Sequence, residues 1–240
     1  MRRMNRVSKY DQSEGRLHAL KFLAVMGITL AMVPGLLRGA GSPDQLPLDE
    51  FIKEVQQSYH DVHALRADFT QTYVSGSRTR VESGTVVFAR GGRMRWDYRE
   101  PGKKLFLSDG KEVLLYLPAE NQLNRSSVKA SEDFRVPFRL LLSRLDLRKV
   151  FSKFEDAADA FQHDPDDRVI RAYPKHGEQE GYKQVVMEFD PELDIRRLEL
   201  VYTDNSVMKF EFEHIDRNPQ LAASLFHFTP PPGTEVIAQH

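Results

Sequence analysis

The chain has 240 residues, a formal net charge of −1 and no cysteine. Its length suits one domain with a substantial core, and the near-neutral balance gives no overall pull toward nucleic acid or an acidic membrane. Without cysteine there is no disulfide, thiolate metal site, cysteine nucleophile or lipid-modified N-terminal cysteine.

The N-terminus has the pattern of an export signal. Arg2, Arg3, Arg6, Lys9, Arg16 and Lys21 precede an apolar run at 22–37, and small residues follow in RGAGS at 38–42. The run is short for a membrane span and is interrupted by Pro34 and Gly35. Residues 1–41 are therefore expected to be a signal peptide cleaved near Gly41, with retention as a single anchor as the alternative and Met4 as a second possible start. The mature part, 42–240, is expected to be a single domain outside the cytoplasmic membrane, in the periplasm.

Leu48, Phe51, Ile52, Val55, Tyr59 and Val62 recur at helical spacing and predict an amphipathic helix. The period then changes to two. Leu65, Ala67, Phe69, Gln71 and Tyr73 share one face of a strand, and Gly84, Val86 and Phe88 share one face of the next. In GGRMRWDYREP, residues 91–101, Met94, Trp96 and Tyr98 alternate with Arg93, Arg95, Asp97 and Arg99, so this strand divides an apolar interior from an outer wall. Residues 103–118 read as a hairpin with Asp109-Gly110 at its turn, and 121–128 as a further strand. Phe138, Leu141, Leu142 and Leu145 predict a helix over 136–151 that starts near Pro137. The acidic stretch at 155–168 reads as a loop. Strand patterns resume in RVIRAYPK, YKQVVMEFD, IRRLELVYT and SVMKFEFEHI, and the chain closes on a helical turn, a stub of strand and a proline stop. The sum is a mainly β protein, one antiparallel sheet of roughly nine to eleven strands with helices against it, large enough to curl toward a barrel.

No hydrolase elbow, zincin helix, Walker loop or dinucleotide fingerprint occurs. His60 and His63 are spaced for a helix face but lie at a helix end, where solvent exposure is the simpler reading. HDPDD at 163–167 offers oxygens suited to calcium, yet a solvated acidic loop explains it as well. The arginines and aromatics of 93–99 point to opposite faces, which argues against single-stranded nucleic acid. No enzyme activity, metal or cofactor is expected.

Taken in order, RADFTQ, RMRWDYREP, FLSDGKEVLLYLP, VPFRLLL and LFHFTPPPGTEV resemble the periplasmic lipoprotein carrier family, LolA, from about Leu48 to Val236. The resemblance implies an unclosed antiparallel β-barrel with a hydrophobic cavity inside, covered by lid helices. It implies acylated lipoproteins as cargo, received from an inner-membrane ABC-type transporter and passed to an outer-membrane acceptor. A monomer that binds no nucleotide is expected. By the same resemblance Phe69, Phe88, Met94 and Trp96 line the cargo-binding cavity together with Phe138, Leu141 and Leu142 of a lid helix, and Arg90 is the latch that holds the lid shut. Two positions depart from the family pattern: Gly91 stands where proline is usual after the arginine, and Met94 where an aromatic is common. A carrier of glycolipid or another apolar lipid, or a periplasmic sensor domain on the same fold, are the competing readings. An outer-membrane acceptor of this fold would need the N-terminal cysteine that is missing here.

Overall fold

Strands long enough to alternate strictly between an apolar and a polar face dominate the computed structural model, which describes residues 46–128, 147–161, 164–176 and 181–238. All the described elements belong to one unit, Asp44–His240. Helix α1 (Leu48–Ser58) is followed by β1 (Ala64–Ser75), β2 (Arg78–Ala89), β3 (Arg93–Glu100), β4 (Lys104–Asp109), β5 (Glu112–Leu117) and β6 (Gln122–Ser127). After α2 (Leu147–Val150) come β7 (Phe151–Asp156), β8 (Arg168–Pro174), β9 (Tyr182–Phe189), β10 (Ile195–Tyr202), β11 (Val207–Arg217) and β12 (Glu235–Ala238).

The strands form one unclosed twelve-stranded sheet in the order β12-β6-β5-β4-β3-β2-β1-β11-β10-β9-β8-β7. Every neighbouring pair is antiparallel except the edge pair β12–β6, which is parallel. The stub of strand expected before the proline stop is not part of the sheet; the strand there is β12, past the prolines, and it is absent from the sequence reading, as is β7. The residues of β7, FSKFED, fall where the predicted helix at 136–151 gives way to the predicted acidic loop, and neither period is visible in so short a piece. Within that predicted helix, the described part is α2, and Phe151 already belongs to the sheet.

Alternation decides which face each side chain joins. The inner face gathers Leu65, Ala67 and Phe69 of β1, Val86 and Phe88 of β2, and Met94, Trp96 and Tyr98 of β3. It continues through Phe106 on β4 and Ile170, Met187, Phe189, Leu198, Phe210 and Phe212 on the second half of the sheet. Phe51, Ile52 and Val55 of α1 are buried into this same cluster, and the rings of Phe51 and Phe189 meet edge to face at 5.6 Å. Asp49 and Glu50 occupy the first turn of α1, where carboxylates favour the positive end of the helix dipole.

The outer face is not bare. After β11 the chain crosses behind the first half of the sheet, where Phe226 packs on Ala64, Val87 and Ala89, and Phe228 on the cluster of Leu105, Leu107, Leu114 and Leu123. Arg95, on the outer wall as predicted, donates to the carbonyl of Leu225 at 3.0 Å and pairs with Asp97 at 2.7 Å. The predicted acidic loop contributes Ala157, Ala160 and Phe161 to a small outer cluster on β8 and β9.

Candidate functional site

The inner face of β1 to β3 is an aromatic surface built by register. Phe88 pairs across the ladder with Met94, Val86 with Trp96, and Trp96 in turn with Phe106. Because these residues are two apart along each strand, all of their side chains project to the same side. Trp96 is at the centre: its ring lies 4.9 Å from Phe69, 5.4 Å from Phe88 and 5.4 Å from Phe210, each at an open angle. Such edge-to-face contacts hold rings in defined orientations while leaving an uninterrupted apolar surface. Trp96 is fully buried and Met94 is 1% exposed. Phe69, Phe88, Met94 and Trp96, predicted together, are thus brought together on the same inner face that receives Phe51, Ile52 and Val55 of α1. Phe138, Leu141 and Leu142 lie outside the described residues.

Beside α1, the surface leaves an apolar pocket of about 30 Å³, lined by Tyr59, Leu65, Ala67, Phe88, Ile195, Phe212 and Ile215. That is room for about one methylene-sized group. Burial pushes the Tyr59 hydroxyl well above its ordinary range, with the Asp194 carboxylate adding to the effect and Arg217 opposing it. Tyr59 is therefore neutral here, and its hydroxyl oxygen accepts from the N–H of Ile195 at 3.3 Å.

Arg90 stands one residue past the end of β2 and two residues from Phe88 of the pocket lining. Its Nε donates to the carbonyl of Val62 at 3.2 Å and its Nη2 to the carbonyl of His60. Both acceptors lie in the turn that follows α1, and His60 and His63 are exposed there. The guanidinium thus ties the C-terminal end of α1 to the sheet. The backbone adds one more link, Arg90 N–H to the carbonyl of His63 at 3.0 Å. Within the described residues the element that Arg90 fastens is the end of α1; most of the predicted helix at 136–151 lies outside them. Gly91 explains the missing proline: its φ is +82°, a region closed to proline, whose ring fixes φ near −65°. The turn is also tight, since a Cβ on Gly110 of the next hairpin would stand 2.1 Å from the Gly91 carbonyl oxygen.

The other end of the interior is closed by polar groups that periodicity alone did not single out. Gln71, 1% exposed, accepts from the Tyr98 hydroxyl at 2.6 Å and donates to Glu82 at 3.3 Å. Glu82 also holds Lys104 at 2.6 Å, and the Lys104 ammonium sits 4.1 Å above the Tyr98 ring. The signal was present in the sequence as a glutamine on an otherwise apolar strand face, where burial demands a partner. The acidic stretch folds on itself: the Asp164 carboxylate accepts from the N–H of Asp166 at 3.1 Å.

A profile for the outer membrane lipoprotein carrier protein LolA matches residues 60–229. The outer-membrane lipoprotein carrier protein of Dechloromonas aromatica is 32% identical over 212 residues, covering 87% of this chain and 93% of the relative. That of Bordetella avium is 31% identical over 212 residues, covering 87% and 92%. Among solved structures, an uncharacterized conserved protein of Thermus thermophilus superposes with a TM-score of 0.50 at 12% identity, over 80% of this chain and 98% of that one. At that identity the likeness speaks for the fold alone.

Proposed function

Because the chain belongs to the family of outer membrane lipoprotein carrier proteins, we propose that it carries lipoproteins through the periplasm by enclosing their acyl chains between α1 and the aromatic inner face of the sheet. One observation carries the reading. Met94, Trp96, Phe69 and Phe88 form a continuous apolar surface, and the helix packed on the same inner face is fastened at its C-terminal end by the polar bonds of Arg90.

Magnitudes favour a carrier over a tight receptor. A sixteen-carbon chain gains roughly 12 kcal/mol on leaving water. Two or three such chains would pass the practical ceiling of about 18 to 21 kcal/mol for non-covalent affinity. The working comparison is therefore membrane against interior, where the hydrophobic gains nearly cancel. Loading then needs an outside source of energy, and release needs an acceptor no worse than the interior. An inner-membrane ABC-type transporter supplies the first in this reading, and an outer-membrane acceptor the second. Residues 1–41 act as the export signal, removed near Gly41, and 42–240 as one carrier domain. The site holds and releases cargo and performs no bond chemistry.

Native mass spectrometry on the mature chain purified from its own periplasm tests the reading. Acylated lipoproteins released intact from the protein are expected. Free glycolipid or fatty acid in their place would identify a lipid carrier, and a protein always empty beside abundant lipoproteins would overturn the proposal.

A further inference from the structure

Arg90 is not the sole side chain that grips the end of α1. Across the apolar pocket, at the end of β11, Arg217 donates from Nη1 to the Ser58 hydroxyl oxygen, the last residue of α1, at 2.7 Å. Its guanidinium also lies 5.0 Å from the centre of the neighbouring Tyr59 ring. The rest of the fork is fixed to the β9–β10 turn, by Nε to the Asp194 carboxylate at 2.7 Å and by Nη2 to the Glu192 carbonyl at 3.1 Å. The next residue, Asn218, has φ +59° and turns its side chain onto the segment joining α1 to β1. Its Oδ1 accepts from the N–H of His63 at 2.6 Å, and its Nδ2 donates to the Asp61 carbonyl at 3.3 Å.

The placement divides the work. Asn218 fixes residues 61 and 63, where a rising α1 would hinge. Arg90 holds 60 and 62 from the β2 side, and Arg217 holds 58 from the β11 side. The pocket between them is lined by Phe88, two residues from Arg90, and by Ile195 and Ile215, beside Asp194 and Arg217. Tyr59 lines it too and follows directly on Ser58, so a bond that holds Ser58 also restrains the backbone of Tyr59.

We propose that Arg217 is a second latch of the lid, a positioning residue acting on α1 through Ser58, so that the pocket opens to an acyl chain only when Arg217 and Arg90 both let go. The inference rests on the carrier reading for what is admitted. The latch itself is a statement about α1.

Hydrogen exchange of the mature protein tests it directly. Ser58→Ala removes the acceptor yet leaves Arg217 with Asp194 and Glu192. Alanine is also the better helix former, so helix propensity alone would slow exchange rather than speed it. The amides of α1 are expected to exchange about tenfold faster, the usual worth of a hydrogen bond to a charged group. Exchange in β9 should stay unchanged, Ser58→Thr should restore α1, and the Ser58→Ala and Arg90→Leu factors should multiply when combined. Unchanged exchange in α1 overturns the latch. So does a rise of equal size in β9, which would make Ser58 a merely structural contact. A parallel titration with palmitate keeps the two ideas separate: failure to take up any acyl chain counts against the carrier reading, while α1 exchange still decides the latch.

Discussion

Replacing Arg90 with leucine should tighten acyl binding without visibly opening the empty protein. The reason lies in the relative size of two contributions. Lifting α1 in water exposes Phe51, Ile52, Val55 and Tyr59, each at most 6% exposed in the closed structure. At about 1.5 to 3 kcal/mol per buried side chain, that contact is worth about 6 to 12 kcal/mol. The two guanidinium bonds to His60 and Val62 are partly solvated, so together they contribute only about 2 to 3 kcal/mol. Without them the lid still opens in far fewer than about one molecule in a hundred. An acyl chain changes the balance, because it replaces α1 as the apolar partner of the sheet and leaves the latch as the remaining difference. The affinity for palmitate should then rise about thirtyfold or more in Arg90→Leu, since each 1.4 kcal/mol is about a factor of ten. Trp96 is the chain's single tryptophan and stands in the middle of the site, so its emission reports occupancy and its quenching by acrylamide reports opening. Equal affinity in the two proteins, or a quenchable Trp96 in ligand-free Arg90→Leu, would refute this division of the closing energy.

Tyr98→Phe removes the 2.6 Å bond to Gln71 and leaves a buried amide oxygen without that donor, so the urea midpoint should fall by the equivalent of about 1 to 3 kcal/mol; an unchanged midpoint would mean that Gln71 re-pairs at no loss. Burial raises the Glu199 carboxyl above the ordinary glutamate range, against the pull of Lys209 and Arg197. The folded protein therefore disfavours the ionised form, a penalty complete above the raised pKa and gone below about 4.3, the unfolded value. Glu199→Gln should accordingly be the more stable protein at pH 7, with the gap closing as the pH falls through that window; a gap independent of pH would contradict the sign. Met94→Glu places a carboxyl at a position 1% exposed, opposite Phe88. Its loss of stability should grow from pH 5 to pH 8, as ionisation becomes harder to avoid, and palmitate uptake should fall most at the higher pH.

Strand periodicity carried most of the fold. The strict alternation of 93–99 placed Met94, Trp96 and Tyr98 inside and Arg93, Arg95 and Arg99 outside, and the helical spacing of Leu48 to Val62 marked α1 to within a turn. The edges were harder to read for a physical reason. A short edge strand such as β7 is bound by backbone hydrogen bonds to one neighbour, so its side chains need not keep a two-residue period. β12 shows the same freedom: all four of its residues are exposed, and it pairs parallel to β6.

The latch region was the least legible part, and the reason is separation along the chain. Arg90 and its acceptors are 28 and 30 residues apart, and Arg217 and Ser58 are 159 apart. The acceptors are backbone carbonyls and a serine hydroxyl, groups that leave no mark on composition or period. Only the family resemblance singled out Arg90, and it said nothing of Arg217. Yet the two arginines are alike in kind: each sits at or just past the end of a long strand, and each aims its fork at the C-terminal end of α1, Arg217 at its last residue and Arg90 at the turn that follows. Strand ends are where a sheet can hold a moving element with polar bonds that water readily replaces. The strand middles, with Trp96 beside the rings of Phe69, Phe88, Tyr98 and Phe210, provide the apolar surface that an acyl chain would cover in the proposed carrier.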